Sequence, residues 1–446
     1  MNYIDIVYLV TEIAAGVMML LCAHFAFFAA VGLFAKKKYP KTETKLRYGI
    51  IIPARNEEAV VANLIDSVRM NNYPQDKLDV FVIAHNCTDA TAQISRQHGA
   101  IVYEYNNENE KTMGYAFKYL FDRINEDYGT ENYDGFFLFN ADNVLDANYF
   151  DKMNDAFVAC GKRDVITSFR NSKNFGENIM SALYGLYFVY GCRFESRGRT
   201  VMGCSTRVQG TGYVINSNIV KDGWPYATLT EDWEFTADRI LLDEKIRFCD
   251  EAVFYDEQPT KVKVMLRQRL RWAKGHLLVC VTRFSDMIRG IFKPRSKGGI
   301  RNKGSMFDFF VNSLPVCVIA TAISVLQFIA ILFSPLFGYN LIEVLWGSFL
   351  SSLPTAIASY LFIAALSFLI YIIEARRIKN VSIFIKIVSA LIWPAFLLLA
   401  TPIEVVALFW KNVQWKEIPH TNTTDFATLN QDETAISEGT LETETV

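Results

Sequence analysis

The sequence has no C-x-x-C pair among its eight cysteines, which are scattered from Cys22 to Cys317. This scatter argues against a zinc site or a disulfide framework and is typical of reduced thiols in a cytosol-facing or membrane-buried protein. The five histidines form no ligand cluster either. The formal net charge is only −2, so composition gives no case for nucleic-acid binding.

Hydrophobic residues make up 51% of the chain, and they are concentrated in long runs. The first, residues 6–35, is too long for a signal-peptide core and has no small-residue cleavage pattern before Lys36, Lys37 and Lys38. We therefore predict a transmembrane helix and basic stop over residues 1–40. The positive-inside rule places its basic end in the cytoplasm.

Three further apolar runs cover residues 306–337, 341–373 and 381–410, and each is long enough to span a bilayer. They predict C-terminal transmembrane helices within residues 306–411 of a multi-pass membrane protein. The basic, glycine-rich part of segment 276–305 favours a membrane-surface position facing lipid headgroups. The polar and acidic residues 412–446 are expected to be disordered.

Between these regions, short apolar strands at 48–53, 79–84, 100–103 and 135–139 alternate with helical stretches. This alternation predicts an α/β domain with a mostly parallel sheet covered by helices. Ligands bind beyond the carboxyl ends of such strands. The polar candidates at those ends are Glu57, His85, Asn86, Asn140 and Asp142.

The segment 229–275 combines a carboxylate pair, Glu231 and Asp232, with an amphipathic helix predicted over residues 260–278. Apolar residues recur at three- and four-residue intervals on one face of that helix. The opposite face carries Gln268, Arg271, Trp272 and Gly275. Spacing alone favours a solvated or membrane-surface helix over a catalytic element.

Thr230-Glu231-Asp232 followed by Gln268-x-x-Arg271-Trp272 resembles the signature of membrane-bound family 2 glycosyltransferases, the group that contains cellulose, hyaluronan, chitin and poly-N-acetylglucosamine synthases. The resemblance covers roughly residues 45–275. It implies a cytoplasmic, Rossmann-like GT-A domain inserted between transmembrane helices, and a bacterial plasma membrane is the expected location.

The resemblance also implies roles for individual residues. Asp232 would be the general base, beside Glu231, and Asp142 matches the D-x-D aspartate that binds Mg²⁺ or Mn²⁺. A single base opposite a metal-bound leaving group implies direct displacement with inversion. The remaining residues divide into donor-binding Pro53, Arg55, Glu57, His85, Asn86, Lys111, Asn140, Asp142 and Arg271, and acceptor-binding Gly210, Thr211, Gly212, Gln268 and Trp272.

Three positions depart from the family pattern. His85-Asn86 stand where an aspartate usually receives the uracil N–H, Asn140 replaces the first aspartate of D-x-D, and Met113 stands where many relatives have lysine. Lys111 is then the candidate for reaching the diphosphate. Uridine donors remain the expectation, although these changes weaken it.

The favoured function is transfer of a sugar from a nucleoside diphosphate to a growing polysaccharide or glycan. Addition of a single sugar to a lipid acceptor, and a non-catalytic relative with degraded donor binding, are the alternatives.

Two local features each allow two interpretations. The arginine-rich segment 193–207 is either an exposed loop or a phosphate-facing one, and residues 415–420 resemble a cytosolic tail of related enzymes, whereas three C-terminal spans would place them outside.

Overall fold

The computed structural model describes residues 2–292, 300–411, 413 and 417–429. An α/β domain occupies the middle of the chain. Its sheet has eight strands in the order β3-β2-β1-β4-β7-β6-β8-β5. The strands are β1 (Tyr48–Ala54), β2 (Leu78–His85), β3 (Ile101–Tyr105), β4 (Gly135–Leu138), β5 (Val144–Leu145), β6 (Val165–Ser172), β7 (Tyr213–Asn216) and β8 (Ile246–Asp256).

The sheet is mixed. Strands β3, β2, β1 and β4 pair in parallel, as do β6 and β8, whereas β7 is antiparallel to both of its neighbours and β5 is antiparallel to β8. Strand β1 is buried along nearly its whole length, as expected for an apolar strand with helices on both faces. The carboxyl ends of β1, β2 and β4 therefore meet at one edge, where the site is built.

Helices cover both faces of the sheet and continue into the regions that flank it. Those within the α/β domain are α2 (Val61–Arg69), α3 (Thr91–Gln97), α4 (Met113–Asp127), α5 (Tyr149–Ala159), α6 (Ile179–Tyr190), α7 (Arg197–Val201) and α8 (Glu231–Leu241). The flanking helices are α1 (Tyr3–Phe34), α9 (Val262–Phe292), α10 (Ile300–Ser313), α11 (Val316–Leu332), α12 (Leu341–Ile373), α13 (Ile383–Leu398) and α14 (Ala400–Phe409).

By length and composition, three described segments could cross a membrane: α1, α12 and the segment 383–409 formed by α13 and α14. A fourth is possible if the bent pair α10–α11, with an angle of 56°, acts as one span. The amphipathic helix extends further than the predicted 260–278, because α9 continues to Phe292. Part of the segment expected at the membrane surface, residues 293–299, lies outside the described residues.

Helices α1, α11 and α12 all reach the end of the helical region that lies away from the α/β domain. The hydroxyl of Tyr3 donates to the carbonyl of Ala330 at 2.7 Å, and the Tyr3 ring stacks on Phe337. At the other end of α1, the Arg193 guanidinium donates to the Leu33 carbonyl at 3.0 Å. Glu374, which follows α12, pairs with the same arginine at 2.9 Å.

The segment 383–409 packs against α9 and α6, although its composition is that of a transmembrane span. The side chain of Arg269 donates to the Phe396 carbonyl at 2.8 Å, and Lys274 donates to the Ala407 carbonyl at 3.0 Å. Both donors belong to α9. Trp393 packs against Tyr190 of α6 with ring centroids 5.6 Å apart. Helix α13 thus packs against both α9 and the α/β domain, and α14 packs against α9.

The arginine-rich segment is not an exposed loop, so that expectation is wrong. Residues 191–201 are helical and mostly buried. Each arginine has a carboxylate partner, because these side chains are removed from water and need compensation. The pairs are Arg193–Glu374, Arg197–Asp250, Arg199–Asp308 and Arg207–Glu195. Two of the pairs, those with Glu374 and Asp308, tie the flanking helices to the α/β domain.

Candidate functional site

The turn before α8 and the polar face of α9 are packed closely together. A Cβ on Gly275 would lie 2.3 Å from the Thr230 hydroxyl oxygen, so only glycine fits there without displacement. One turn away, the Arg271 guanidinium donates to the Leu229 carbonyl at 2.7 Å. The carboxylates of Glu231 and Asp232 therefore stand at the N-terminus of α8, beside Arg271.

Burial and mutual repulsion govern the protonation of the two carboxylates. Glu231 is 6% exposed, and burial together with the charge of Asp232 raises its pKa. Burial also raises the pKa of Asp232, which Arg271 and backbone N–H groups partly offset. The helix N-terminus favours the anionic form as well. The arrangement favours a proton on Glu231 and a charge on Asp232.

Of the three residues predicted in the turn 210–212, one approaches the Asp232 carboxylate. A Cβ on Gly210, whose φ is +80°, would stand 3.5 Å from Asp232 Oδ2. Thr211 is buried and joins two loops, because its hydroxyl donates to Asn143 and accepts from the Asn140 backbone N–H at 2.9 Å. A Cβ on Gly212 would lie 2.1 Å from the Phe254 ring. The geometry gives the latter two a structural position rather than the predicted acceptor contact.

A small cavity of about 140 Å³ lies at the carboxyl ends of the parallel strands. Most of the predicted donor-binding side chains converge there, as the strand ends suggested. Those that line it are Pro53, Arg55, Glu57, His85, Lys111, Asn140 and Arg271.

His85 and Asn86 follow one strand but have different surroundings. His85 lines the cavity, contacts the Glu110 carbonyl through Nε2 at 2.7 Å and stacks on Tyr105. Burial lowers the pKa of His85, so its imidazole is neutral. The Asn86 amide instead holds the following loop, donating to the Asn107 carbonyl at 3.1 Å and accepting from the Asn107 N–H at 2.7 Å. The predicted donor contact of Asn86 has no counterpart in this geometry.

Asp142 lies next to the small cavity, 3% exposed. One carboxylate oxygen accepts from the Glu257 backbone N–H at 2.8 Å, and the other accepts from Asn143 at 3.2 Å. No group of three or more His, Cys, Asp or Glu side chains in the described part of the chain has the geometry of a complete metal site. A Mg²⁺ or Mn²⁺ ion is usually held by one or two carboxylates together with diphosphate oxygens, and Asp142 is the predicted carboxylate beside this cavity.

His420 marks the negative potential around Asp142. The imidazole contacts both oxygens of Glu57 at 2.9 Å. Although burial lowers its pKa, the charges of Asp142, Glu57 and Glu257 raise the pKa of His420 to about 9. This raised pKa indicates a negative potential around Asp142, which would favour binding of a divalent ion.

The tail that carries His420 is a part of the site that sequence reasoning missed. Glu417 pairs with Arg55 at 3.4 Å and accepts from Asn56 at 3.2 Å, and the Thr421 N–H donates to Glu257 at 3.1 Å. The expectation of disorder is therefore wrong for residues 417–429, which end in a helical turn, and it falls outside the described residues for 430–446. The available signal was the segment 415–420, noted as similar to a cytosolic tail.

A larger cavity of about 480 Å³ begins on the other side of Arg271. Asp232, Gly210, Gln268 and Trp272 line it, which brings these predicted catalytic and acceptor residues together. The two cavities share four lining residues: Met113, Asn140, Gln268 and Arg271. The Oε1 atom of Gln268 is buried and has no hydrogen-bond partner within the described ranges, so it is available to a ligand.

Arg170, Asp256 and His276 also belong to the site and were not anticipated. Arg170 donates to Asp256 at 2.6 Å and lies over the Phe188 ring at 3.5 Å. His276 stacks on Trp233 at 4.0 Å, and burial lowers its pKa to about 3. Arg170 and Asp256 lie on β6 and β8, two strands that the sequence analysis did not predict. His276 immediately follows Gly275 and could have been included in the polar face.

These features define a glycosyltransferase. Residues 46–275 match the glycosyltransferase-like family 2, and the chain belongs to that family. It is 26% identical over 273 residues to a probable glycosyltransferase, YdaM, of Bacillus subtilis, covering 59% of this chain and 61% of that protein. It is 22% identical over 280 residues to a poly-beta-1,6-N-acetyl-D-glucosamine synthase of Staphylococcus epidermidis, covering 59% and 63%. The matches thus span less than two thirds of either relative.

The fold is similar to that of a mannosyltransferase from Pyrobaculum calidifontis, solved with GDP-Man and Mn²⁺. The TM-score is 0.57 at 12% identity, with 89% of this chain and 99% of that one covered. The predicted GT-A-type α/β domain between apolar helices is thereby confirmed. The prediction of a family 2 glycosyltransferase is confirmed as well.

Proposed function

We propose that this enzyme transfers a sugar from a nucleoside diphosphate donor to a hydroxyl group at the membrane surface, with inversion at the anomeric carbon. The observation that carries the proposal is the meeting of two cavities at Arg271. One is lined by the predicted donor residues and the other contains Asp232. A donor in the first cavity would present its sugar to an acceptor in the second.

The chemistry follows from the residues at this junction. Asp232, as general base, takes the proton of the acceptor hydroxyl while its oxygen attacks the anomeric carbon. The bond from that carbon to the diphosphate breaks, and the nucleoside diphosphate leaves with the electron pair. Arg271 is positioned to stabilise the charge that develops on the leaving group. With one base opposite one leaving group, the displacement needs no nucleophilic carboxylate, and the configuration at the anomeric carbon is inverted.

A divalent ion would be held by Asp142 and by the donor diphosphate, and it would neutralise the leaving group as a Lewis acid. Glu57 and Glu257 add negative potential there, as the effect of these charges on His420 indicates. The mannosyltransferase of similar fold was solved with Mn²⁺, which supports Mg²⁺ or Mn²⁺ here. Neutral His85 is placed to exchange a hydrogen bond with a uracil base, so UDP-sugars are the first donors to test.

We place the enzyme in a membrane with its α/β domain in the cytoplasm, most simply the bacterial plasma membrane. Helices α1, α11 and α12 would cross, whereas α13 and α14 would lie along the surface because α9 binds both of them. The tail then returns to the cytoplasmic side, where Glu417 meets Arg55. With this topology the tail lies on the cytoplasmic side, whereas three C-terminal spans would place it outside. The Lys36–Lys38 cluster after α1 supports the orientation.

The test is sugar transfer from a panel of labelled UDP- and GDP-sugars by membranes that contain the protein and Mn²⁺. Transfer from one donor, absent from membranes containing Asp232→Asn, is the expected result. If folded protein consumed none of these donors, the changes at His85, Asn140 and Met113 would indicate lost donor binding, and the proposal would be rejected.

A further inference from the structure

The larger cavity changes character along its length. Its inner end is polar and contains Asp232, Gln268 and Arg271. Its outer end is formed by α12 and α13 through aliphatic and aromatic side chains, namely Phe362, Ile363, Leu366, Trp393 and Leu397. A ligand that fills this space must therefore have a polar head and an apolar body.

The outer end of the cavity opens onto the surface of a candidate membrane span. Phe362 lines the cavity, yet 70% of the residue is exposed, and its neighbour Leu361 is 61% exposed. The exposed surface of α12 around them is apolar, with a mean hydropathy of 2.4 in its most apolar window. Helices α12 and α13 are joined by hydrogen bonds from Tyr360, Ser367 and Tyr371, so the exposed face of α12 at Phe362 is the side of the cavity that a bilayer would meet.

Among the described residues, the cations at the inner end of the cavity already have other partners. Arg170 is paired with Asp256, Arg207 is paired with Glu195, and Arg271 lies beside Asp232 and would face the donor diphosphate. His276 is neutral because burial lowers its pKa to about 3. A buried phosphate group needs cationic or multiple N–H partners. The head of the acceptor should therefore be uncharged.

One polar atom in the apolar half is available to such a molecule. The Trp393 side chain is 1% exposed, and its indole N–H has no hydrogen-bond partner in the part of the chain that the structure describes. A buried indole N–H usually has an acceptor. An ester or ether oxygen between a hydroxyl head and its acyl chains would supply one.

On this basis we propose that the acceptor is an uncharged, hydroxyl-bearing membrane lipid of the diacylglycerol type. The lipid head would meet Asp232, and the lipid chains would extend along the apolar wall that α12 and α13 form, toward the exposed face at Phe362. This inference rests on the proposed glycosyl transfer and adds the class of acceptor. The cavity of about 480 Å³ lies within the usual range for small-molecule sites and suits the head and the first part of a chain.

The experiment uses the full-length protein in nanodiscs, with the labelled donor identified by the panel and one of three acceptors. These are dioleoylglycerol, a polyprenyl phosphate and a short oligosaccharide. We expect label in the organic phase with dioleoylglycerol alone, at a mass of lipid plus sugar. A water-soluble polymer, or label only on polyprenyl phosphate or the oligosaccharide, would overturn the inference while leaving the transferase function intact. Loss of donor consumption in every arm would instead reject the function.

Two cavity-filling variants sharpen the result. Ile363→Trp on α12 and Leu397→Trp on α13 narrow the apolar half from opposite walls, whereas Leu361→Trp, two residues from the first, adds the same bulk on the exposed face. We expect lipid glycosylation to fall at least about tenfold for the first two and to stay near the wild-type level for Leu361→Trp, because only the first two narrow the cavity that would bind the lipid. Equal effects of Ile363→Trp and Leu361→Trp would contradict the assigned entrance. The acceptor panel decides independently if a variant fails to fold.

Discussion

The two cavities that meet at Arg271 differ in polarity, size and cover. The donor side is small, about 140 Å³, and is lined by charged residues beneath Glu417, Ile418 and His420 of the tail. The acceptor side is larger, about 480 Å³, and becomes apolar toward α12 and α13. The difference supports the proposal that the two substrates arrive from different phases, a soluble nucleotide from the aqueous side and an amphipathic acceptor from the membrane.

The largest effect is expected when the two carboxylates at the junction, Asp232 and Glu231, are substituted one at a time. Asp232→Asn should lower kcat by about 10²–10⁴-fold, because the acceptor proton then has no base. Glu231→Gln is the matched control, since glutamine resembles the protonated form that burial favours, and it should retain activity within about tenfold. Steady-state transfer by the purified variants measures both. An active Asp232→Asn enzyme would reject Asp232 as the base.

On the donor side, the largest effect should come from the metal. EDTA, or the Asp142→Ala substitution, should lower transfer by at least about 100-fold, because the leaving diphosphate loses its neutralising charge. Mn²⁺ or Mg²⁺ should restore the chelated enzyme but not the variant. Asp151→Ala, which removes a half-exposed carboxylate paired with Lys45, should leave activity unchanged. Full activity in EDTA would exclude the metal role.

The contact between α8 and α9 keeps the donor and acceptor cavities aligned, and we expect Gly275→Ala to break this contact. The added methyl group would meet the Thr230 side chain at 2.3 Å, displacing Arg271 from the catalytic turn. A shift of about 1 Å can cost roughly 100-fold in rate, so we expect a 10–100-fold loss in kcat. Gly347→Ala on α12, where no heavy atom lies within 4 Å of the new Cβ, is the control. Similar losses in both variants would contradict a positioning role.

Much of this arrangement could be predicted because it depends on local spacing. The strand ends carrying Glu57, His85 and Asn140 follow from apolar runs that alternate with helices, and the polar face of α9 follows from helical periodicity. The carboxylate turn and α9 are separated along the chain, so their contact could be expected from the family resemblance alone. The structure adds the physical reason for the contact, which is the missing side chain of Gly275.

Other features depend on long-range contacts that no local pattern reveals. The segment 383–409 has the composition of a span, but its position is set by Arg269 and Lys274, more than a hundred residues earlier. The four arginines between 193 and 207 are ion-paired because distant carboxylates, such as Glu374 and Asp308, reach them. The tail is polar and lacks periodicity, yet carboxylates of the α/β domain bind it through His420 and backbone N–H groups. Composition describes a segment but not its partners.

The pH dependence of activity should reflect the burial of Asp232 at the junction of the two cavities. Burial raises the pKa of Asp232, and the base acts only when ionised. Activity should therefore fall as pH drops through this raised pKa, about tenfold per unit below it, at a higher pH than for a free aspartate with a pKa of about 3.9. The pH profile of kcat/KM measures this, with circular dichroism to confirm folding. An activity that is flat down to pH 4 would contradict a buried base.

The smallest effect concerns the tail over the donor cavity. The space beneath it, about 140 Å³, is less than the roughly 300 Å³ at the lower end of ligand pockets, and we therefore expect the donor to displace the tail. Glu417→Ala removes a half-exposed ion pair with Arg55, and such pairs contribute up to about 1 kcal/mol. The donor KM should therefore fall about two- to fivefold, with kcat little changed. Asp425→Ala, whose carboxylate accepts from Thr428 within the tail, should not alter KM. A higher donor KM in Glu417→Ala would mean that the tail binds the donor instead of competing with it.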